Sequence, residues 1–96
     1  MVRYRPNVMI IQSILENIQS LEGANISQLV THANIPHRRL KSKLEEMREA
    51  DLINELDVDG GKVYILTERG SKALLKLREL TDYLLSVGIF PREVMA

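Results

Sequence analysis

Residues 26–53 read ISQLVTHANIPHRRLKSKLEEMREADLI (Ile26–Ile53), and the turn inside this stretch decides the fold. Before the turn, Ile26, Leu29, Val30 and Ala33 line one face of a short helix over residues 25–33. Asn25 is placed to cap it, with Gln28 three residues on as the capping-box partner. Asn34-Ile35-Pro36 then breaks the helix. Asn tolerates the left-handed backbone of a tight turn. Pro36 forces Ile35 to be extended and can open the next helix. That helix is expected over His37–Ala50, with Leu40, Leu44 and Met47 on one stripe. Arg38, Ser42, Glu45 and Glu49 stand opposite, flanked by Arg39 and Lys41.

Working outward, residues 7–21 (NVMIIQSILENIQSL) carry Val8, Ile11, Leu15 and Ile18 at helical spacing, widened by Ile10, Ile14 and Leu21. So wide a stripe predicts a helix buried on two sides, with Pro6 at its entrance and Gly23 at its exit. On the other flank, Leu52–Val58 and Lys62–Leu66 read as strands around Asp59-Gly60-Gly61, a strong hairpin signal. Thr67 is a good N-cap for a last helix over about 68–87, and Gly88 a natural stop. The predicted order is helix, helix, tight turn, helix, hairpin, long helix. This is a mainly α (α+β) winged helix-turn-helix, with a three-helix core and the hairpin as wing. It divides into a winged helix-turn-helix domain at 1–66, a C-terminal helix at 67–88 and a tail at 89–96 without usable periodicity.

The helix-turn-helix stretch, its Ala33-Asn34-Ile35 turn, the closing ADLI and the later VYILTERGSKALL resemble the small archaeal winged-helix proteins of the ten-kilodalton 10a type. The resemblance covers about residues 7–87. The LTERG signature after a wing also recurs in regulators of the MarR and PadR sort. The resemblance implies a DNA-binding homodimer joined by an antiparallel coiled coil of the last helices. The residues alone leave parallel and antiparallel pairing open. Two positions depart from the family pattern. Asp51 stands where a glycine is usual before the wing strand, and the wing is acidic where such families often place bases.

Composition bounds the alternatives. The chain has 96 residues, 45% hydrophobic and 27% charged, which fits one folded domain over disorder. The absence of Cys excludes a disulfide scaffold and a thiolate metal site, and fits a reducing interior. The polar opening MVRYRPN, followed by the short apolar run Val8–Ile11, predicts no signal peptide, and no stretch is long and apolar enough to span a membrane. A cytoplasmic, nucleoid-associated location is expected. Thirteen Lys/Arg balance thirteen Asp/Glu, and a net charge of zero taken alone predicts no nucleic-acid partner. The average hides an asymmetry: residues 1–44 hold six Lys/Arg against two Asp/Glu, and residues 45–96 hold seven against eleven.

The cations gather at the start of the third helix, where His37, Arg38, Arg39, Lys41, Ser42 and Lys43 are the candidate DNA-binding residues. A helix-turn-helix puts this part of its second helix in the major groove. There Arg can read guanine through paired hydrogen bonds, and Lys can neutralise phosphate. The helix dipole prefers acids first and bases last, and here the order is reversed, with Glu45, Glu46 and Glu49 following the bases. Local violations of this kind mark function. The plainer alternative is a solvated face of i,i+4 pairs such as Lys41 with Glu45. Acids farther along the helix imply that it enters the groove tip-first. In the wing, Glu55, Asp57 and Asp59 oppose Lys62 alone, so either Lys62 and the glycine amides touch DNA or the wing points away. A calcium loop is disfavoured because the downstream bidentate Glu is missing.

Ala73, Leu77, Leu80, Leu84 and Val87 are spaced 4, 3, 4, 3, an a/d seam extended by Leu74 and Tyr83. The candidate dimer-interface residues are Ala73, Leu77, Leu80, Tyr83, Leu84 and Val87. The start of this helix is expected to pack on its own domain through Leu66, Ala73 and Leu74, with the distal half needing a partner and the first helix adding surface. Ile89, Phe90, Val94 and Met95 are placed to cover the seam. Arg3-Tyr4-Arg5 reads equally as a basic arm or a frayed terminus. His32 and His37 lack partners at ligand spacing, so no metal and no cofactor are expected. No nucleophile–base set and no glycine-rich phosphate loop stands out, which argues against an enzyme. The expected function is sequence-selective binding of double-stranded DNA by a homodimeric transcription regulator. The alternatives are a winged-helix module that binds protein and not DNA, and a nucleoid-associated DNA-binding protein, against which the zero net charge argues.

Overall fold

The computed structural model describes residues 7–88. Six elements follow one another: α1 (Asn7–Ser20), α2 (Ile26–Ala33), α3 (His37–Glu49), β1 (Ile53–Val58), β2 (Gly61–Leu66) and α4 (Glu68–Ser86). This is the winged helix-turn-helix order read from the sequence. Pro6, the Arg3-Tyr4-Arg5 arm and the tail residues Ile89, Phe90, Val94 and Met95 lie outside the described residues.

The core is built from one stripe of each helix. Ile10, Ile14, Leu15 and Ile18 of α1, Leu29 and Ala33 of α2, and Leu40, Leu44 and Met47 of α3 are buried together with Ile35, Ile53 and Leu74. Of the wide α1 stripe, Ile11 and Leu21 pack half-buried, but Val8 is exposed. The capping box forms as expected: the Gln28 amide donates to the Asn25 side chain at 2.8 Å, and the Asn25 amide to the Gln28 side chain at 2.9 Å. Asn34 takes the left-handed conformation (φ 56°, ψ 48°), and Pro36 sits at the N-cap of α3, one residue earlier than a helix-opening proline.

Asp51 explains the missing glycine. It adopts φ 64° at the end of α3, the conformation glycine usually supplies. Its amide donates to the Arg48 carbonyl (3.0 Å) and the Leu52 amide to the Met47 carbonyl (2.9 Å), the paired bonds of a Schellman cap. α1 ends the same way on Glu22, with Gly23 one residue later.

β1 and β2 pair antiparallel from Ile53↔Leu66 to Val58↔Gly61, leaving Asp59 and Gly60 as a two-residue loop. Both have positive φ (49° and 81°), as a type I′ turn requires. A further bridge joins Ala24 to Tyr64, through bonds of 3.0 and 2.8 Å between their backbones. It pins the α1–α2 connection to the free edge of β2. Nothing in the periodicity marks so short a pairing.

α4 is tied down at its start. Thr67 caps it, accepting from the Gly70 amide at 2.9 Å. A Cβ at Gly70 would collide with the Leu52 carbonyl oxygen, so only glycine lets the helix lie against the wing base. Farther along, the Arg78 guanidinium donates to Glu16 of α1 through Nε (3.1 and 3.2 Å) and Nη2, and to Gln19 at 2.7 Å. Among the described residues, no helix is long and apolar enough to cross a membrane.

Candidate nucleic-acid interface

The turn Ala33–Pro36 delivers α3 with one face of its first two turns exposed to solvent. His37, Arg38, Arg39, Lys41 and Ser42 are all exposed. Pro36 gives α3 no side-chain cap, and its first turn contains no acid, so the positive end of the helix dipole is left uncompensated. The cations stand at that same end. This combination attracts anions from two sources at once. A proline at the N-cap has no side-chain acceptor for the free amides, which is what leaves this terminus uncapped.

The i,i+4 pairing that would have neutralised Lys41 does not form. The Glu45 carboxylate is held by Arg48, which donates to both its oxygens from Nη2 (2.8 and 2.9 Å) and from Nε (3.2 Å). The carboxylate raises the Arg48 pKa, chiefly through these hydrogen bonds. Among the described residues, Arg38 and Lys41 have no ion pair. The first acid along α3 is thereby paired within its own helix, and Arg38 and Lys41 keep their charge.

Two sequence-based candidates sit elsewhere. Lys43 is only 8% exposed, on the core side of α3 beside Leu40, Leu44 and Met47, with its Nζ 3.4 Å from Glu46. One step of about 100° along the helix separates it from the exposed Ser42. Its charge does not join the exposed group. Lys62 is exposed on the wing but paired with the wing's own acids, its Nζ 3.1 Å from Glu55 Oε2 and 2.8 Å from Asp57 Oδ1. Hydrogen bonds to Asp57 and then Glu55 raise its pKa.

Between α3 and the wing lies a cleft of about 560 Å³, with His37, Arg38 and Lys41 on the helix side and Glu55 on the wing side. Leu44 and Tyr64 contribute to its lining. Burial, followed by the charges of Glu55 and Glu45, pushes the Tyr64 hydroxyl above its usual pKa. Nothing in the sequence marks Tyr64, whose place in the cleft follows from the register that sets it opposite Glu55.

The α4 seam divides along its length. Ala73 and Leu77 are half-buried and pack against the chain's own core, beside the buried Leu74. Leu84 is half-buried. Leu80 (54%), Tyr83 (64%) and Val87 (46%) are exposed. Among the described residues, no group of three or more His, Cys, Asp or Glu could hold a metal ion.

None of the curated proteins compared with the chain matches it in sequence. Solved structures do match it in fold. The chain is similar to Sso10a-2, a DNA-binding protein from Sulfolobus solfataricus, at 19% identity and a TM-score of 0.77, over 86% of this chain and 85% of that one. It is similar to AF1382 from Archaeoglobus fulgidus at 18% identity and a TM-score of 0.69, over 81% and 86%. A MarR family transcriptional regulator from Silicibacter pomeroyi matches at 16% identity and a TM-score of 0.74, over 91% of this chain but 62% of that one. The first of these agrees with the 10a-type resemblance drawn from the turn and the LTERG signature. The sequence profile described as winged helix-turn-helix matches residues 4–84, spanning all three core helices, the wing and most of α4, and the chain belongs to that family.

Proposed function

We propose that the chain binds double-stranded DNA as a homodimer, selects among sequences, and serves as a transcription regulator. The carrying observation is the capture of Glu45 by Arg48, which leaves Arg38 and Lys41 charged at an uncapped helix end. Arg38, Arg39 and Ser42 are the candidates for base edges, and His37 and Lys41 for phosphate. The similarity to a DNA-binding protein and to a transcriptional regulator supports this reading.

The dimer rests on α4. Its nineteen residues extend about 28 Å. Leu80, Tyr83 and Val87 lie within an arc of roughly 60° on a helix and are left without cover in one chain. Two copies joined there as an antiparallel pair would present two α3 tips by a twofold axis. Paired half-sites about 34–36 Å apart, or a multiple, are then expected.

Binding to random duplexes across a salt series tests the reading. Affinity should fall steeply as salt rises, because bound cations release counterions from the phosphates. The Arg38→Ala/Arg39→Ala variant should lose both affinity and selectivity. Equal binding by wild type and variant would retire α3 as the reading element. The second reading, a module that binds protein, draws on the acidic wing and its neutralised Lys62. It requires that no duplex bind at low salt.

A further inference from the structure

The wing carries charge of the wrong sign for the ligand proposed above. Glu55, Asp57 and Asp59 face one cation, Lys62. That cation is already engaged by two of the three carboxylates, at 3.1 and 2.8 Å. The Asp57 side chain remains 79% exposed, and Asp59 is exposed at the tip of the hairpin. The register fixes where these charges stand. Residues opposite one another share a face, so Glu55, Asp57 and Lys62 lie on the same side of the hairpin as the buried Ile53 and Tyr64. Glu55 and Tyr64 line the cleft whose other wall carries His37, Arg38 and Lys41 together with the Glu45–Arg48 pair, and Asp57 and Asp59 stand beyond the cleft on the outer wing. The helix wall thus carries net positive charge, and the wing, with three acids to one base, net negative charge.

Duplex DNA carries one charge per about 1.7 Å of axis, and neutralising those charges supplies essentially all non-specific binding. A protein lying side-on against the backbone would bring both walls to the phosphates. A protein entering by the tip of α3 would bring the cationic wall alone. The wing carboxylates therefore penalise the side-on attitude more than the inserted one. Discrimination improves when the competing complex is weakened, as well as when the right one is strengthened.

We propose that Asp57 and Asp59 are specificity-determining residues that act by repulsion, holding the wing off the phosphate backbone so that α3 alone decides where the protein binds. The proposal rests on the DNA reading above. It assigns the wing a purpose that a cationic wing lacks: it strips away sequence-independent contacts.

The test compares wild type with Asp57→Asn/Asp59→Asn on two duplexes, one of random sequence and one selected from a random pool by the wild-type protein. Asn is near-isosteric and tolerates the positive φ of Asp59 (49°), so the turn is retained, and Asp57→Asn alone serves as a variant that leaves the turn untouched. The variants should bind the random duplex about tenfold more tightly at low salt, as charges within a few ångströms of phosphate are removed. The preference for the selected duplex should narrow. Unchanged or weaker binding to random DNA, or an equal gain on both duplexes, would overturn the proposal while leaving the DNA reading intact. A wild-type protein that binds neither duplex would remove both.

Discussion

The Thr67 hydroxyl donates a hydrogen bond to the Asp51 carbonyl oxygen at 2.6 Å, clasping the end of α3 to the start of α4. The Thr67 hydroxyl oxygen in turn accepts from the Gly70 amide, and the Thr67 amide donates to the Leu52 carbonyl at 3.1 Å. The wing base is thus closed by one side chain acting as donor and acceptor at once. The LTERG signature is a structural device: its threonine makes the clasp and the cap, and its glycine permits the contact with Leu52. Because Asp51 holds a left-handed conformation within this clasp, Asp51→Gly should stabilise the fold by about 0.5–1 kcal/mol. Urea denaturation with an unchanged slope and a higher midpoint is the expected result. A lower midpoint would mean that the aspartate side chain contributes more than its backbone costs.

Gly70→Ala should do the reverse. Alanine is the better helix former by about 1 kcal/mol. Its methyl group, however, would be driven into the Leu52 carbonyl oxygen, a backbone atom that moves only if the wing base moves. A net loss of about 2–3 kcal/mol is expected, within the range of overpacked interiors. Equal thermal stability of variant and wild type would show that α4 slides without cost.

The α1–α4 clamp is acid-sensitive. Hydrogen bonding to Arg78 holds the Glu16 carboxyl below its ordinary pKa, outweighing the opposite effect of burial. A depressed folded-state value means that the contribution is fully present above the unfolded pKa, about 4.3, and is lost as pH falls through the lower folded value. The pair is partly exposed, so screening limits it to about 1 kcal/mol or less. Arg78→Ala should lower stability at pH 7 and flatten its decline below pH ~4.3. A variant whose acid limb superimposes on that of wild type would place the sensitivity in other carboxylates.

The helices are legible in the sequence because each pairs a periodicity with a cap or turn residue, and the two strands are legible through the turn residues between them. Asn25 with Gln28, Asn34 with Pro36, and Asp59 with Gly60 are such pairs, and the structure uses all three. The Ala24–Tyr64 bridge escaped because one residue pair has no period. Lys43 and Lys62 illustrate the limit of reading charge by residue type. A one-residue step turns Lys43 from the solvent face toward the core, and only the strand register reveals that Lys62 meets both Glu55 and Asp57. The exchange of Glu45 from Lys41 to Arg48 was equally out of reach, since i,i+3 and i,i+4 partners compete on the same face.

Two leucines one turn apart on α4 separate folding from assembly. Leu77 packs on the chain's own core, whereas Leu80 is 54% exposed. Leu77→Ala should lower the unfolding midpoint by removing buried surface. Leu80→Glu should leave the helix content intact and halve the mass found by sedimentation, because a buried unpaired charge would oppose the seam. A Leu80→Glu protein with the wild-type mass would move the dimer contact away from this face.

Lys41 and Lys43 offer the sharpest comparison on α3, because they are alike in type and differ in placement. Lys41 is exposed and lines the cleft, whereas Lys43 is buried with its ammonium 3.4 Å from Glu46. If charge at the exposed tip drives binding, Lys41→Ala should weaken binding to all duplexes alike and reduce the salt slope by about 1 per protomer. Lys43→Met keeps the apolar length of the side chain and removes only the charge. It should leave the salt slope unchanged, with any effect on folding appearing in the melting curve instead. A slope reduced equally by both variants would show that charge acts without regard to exposure. A slope reduced by Lys43→Met alone would place the phosphate contacts on the other side of α3.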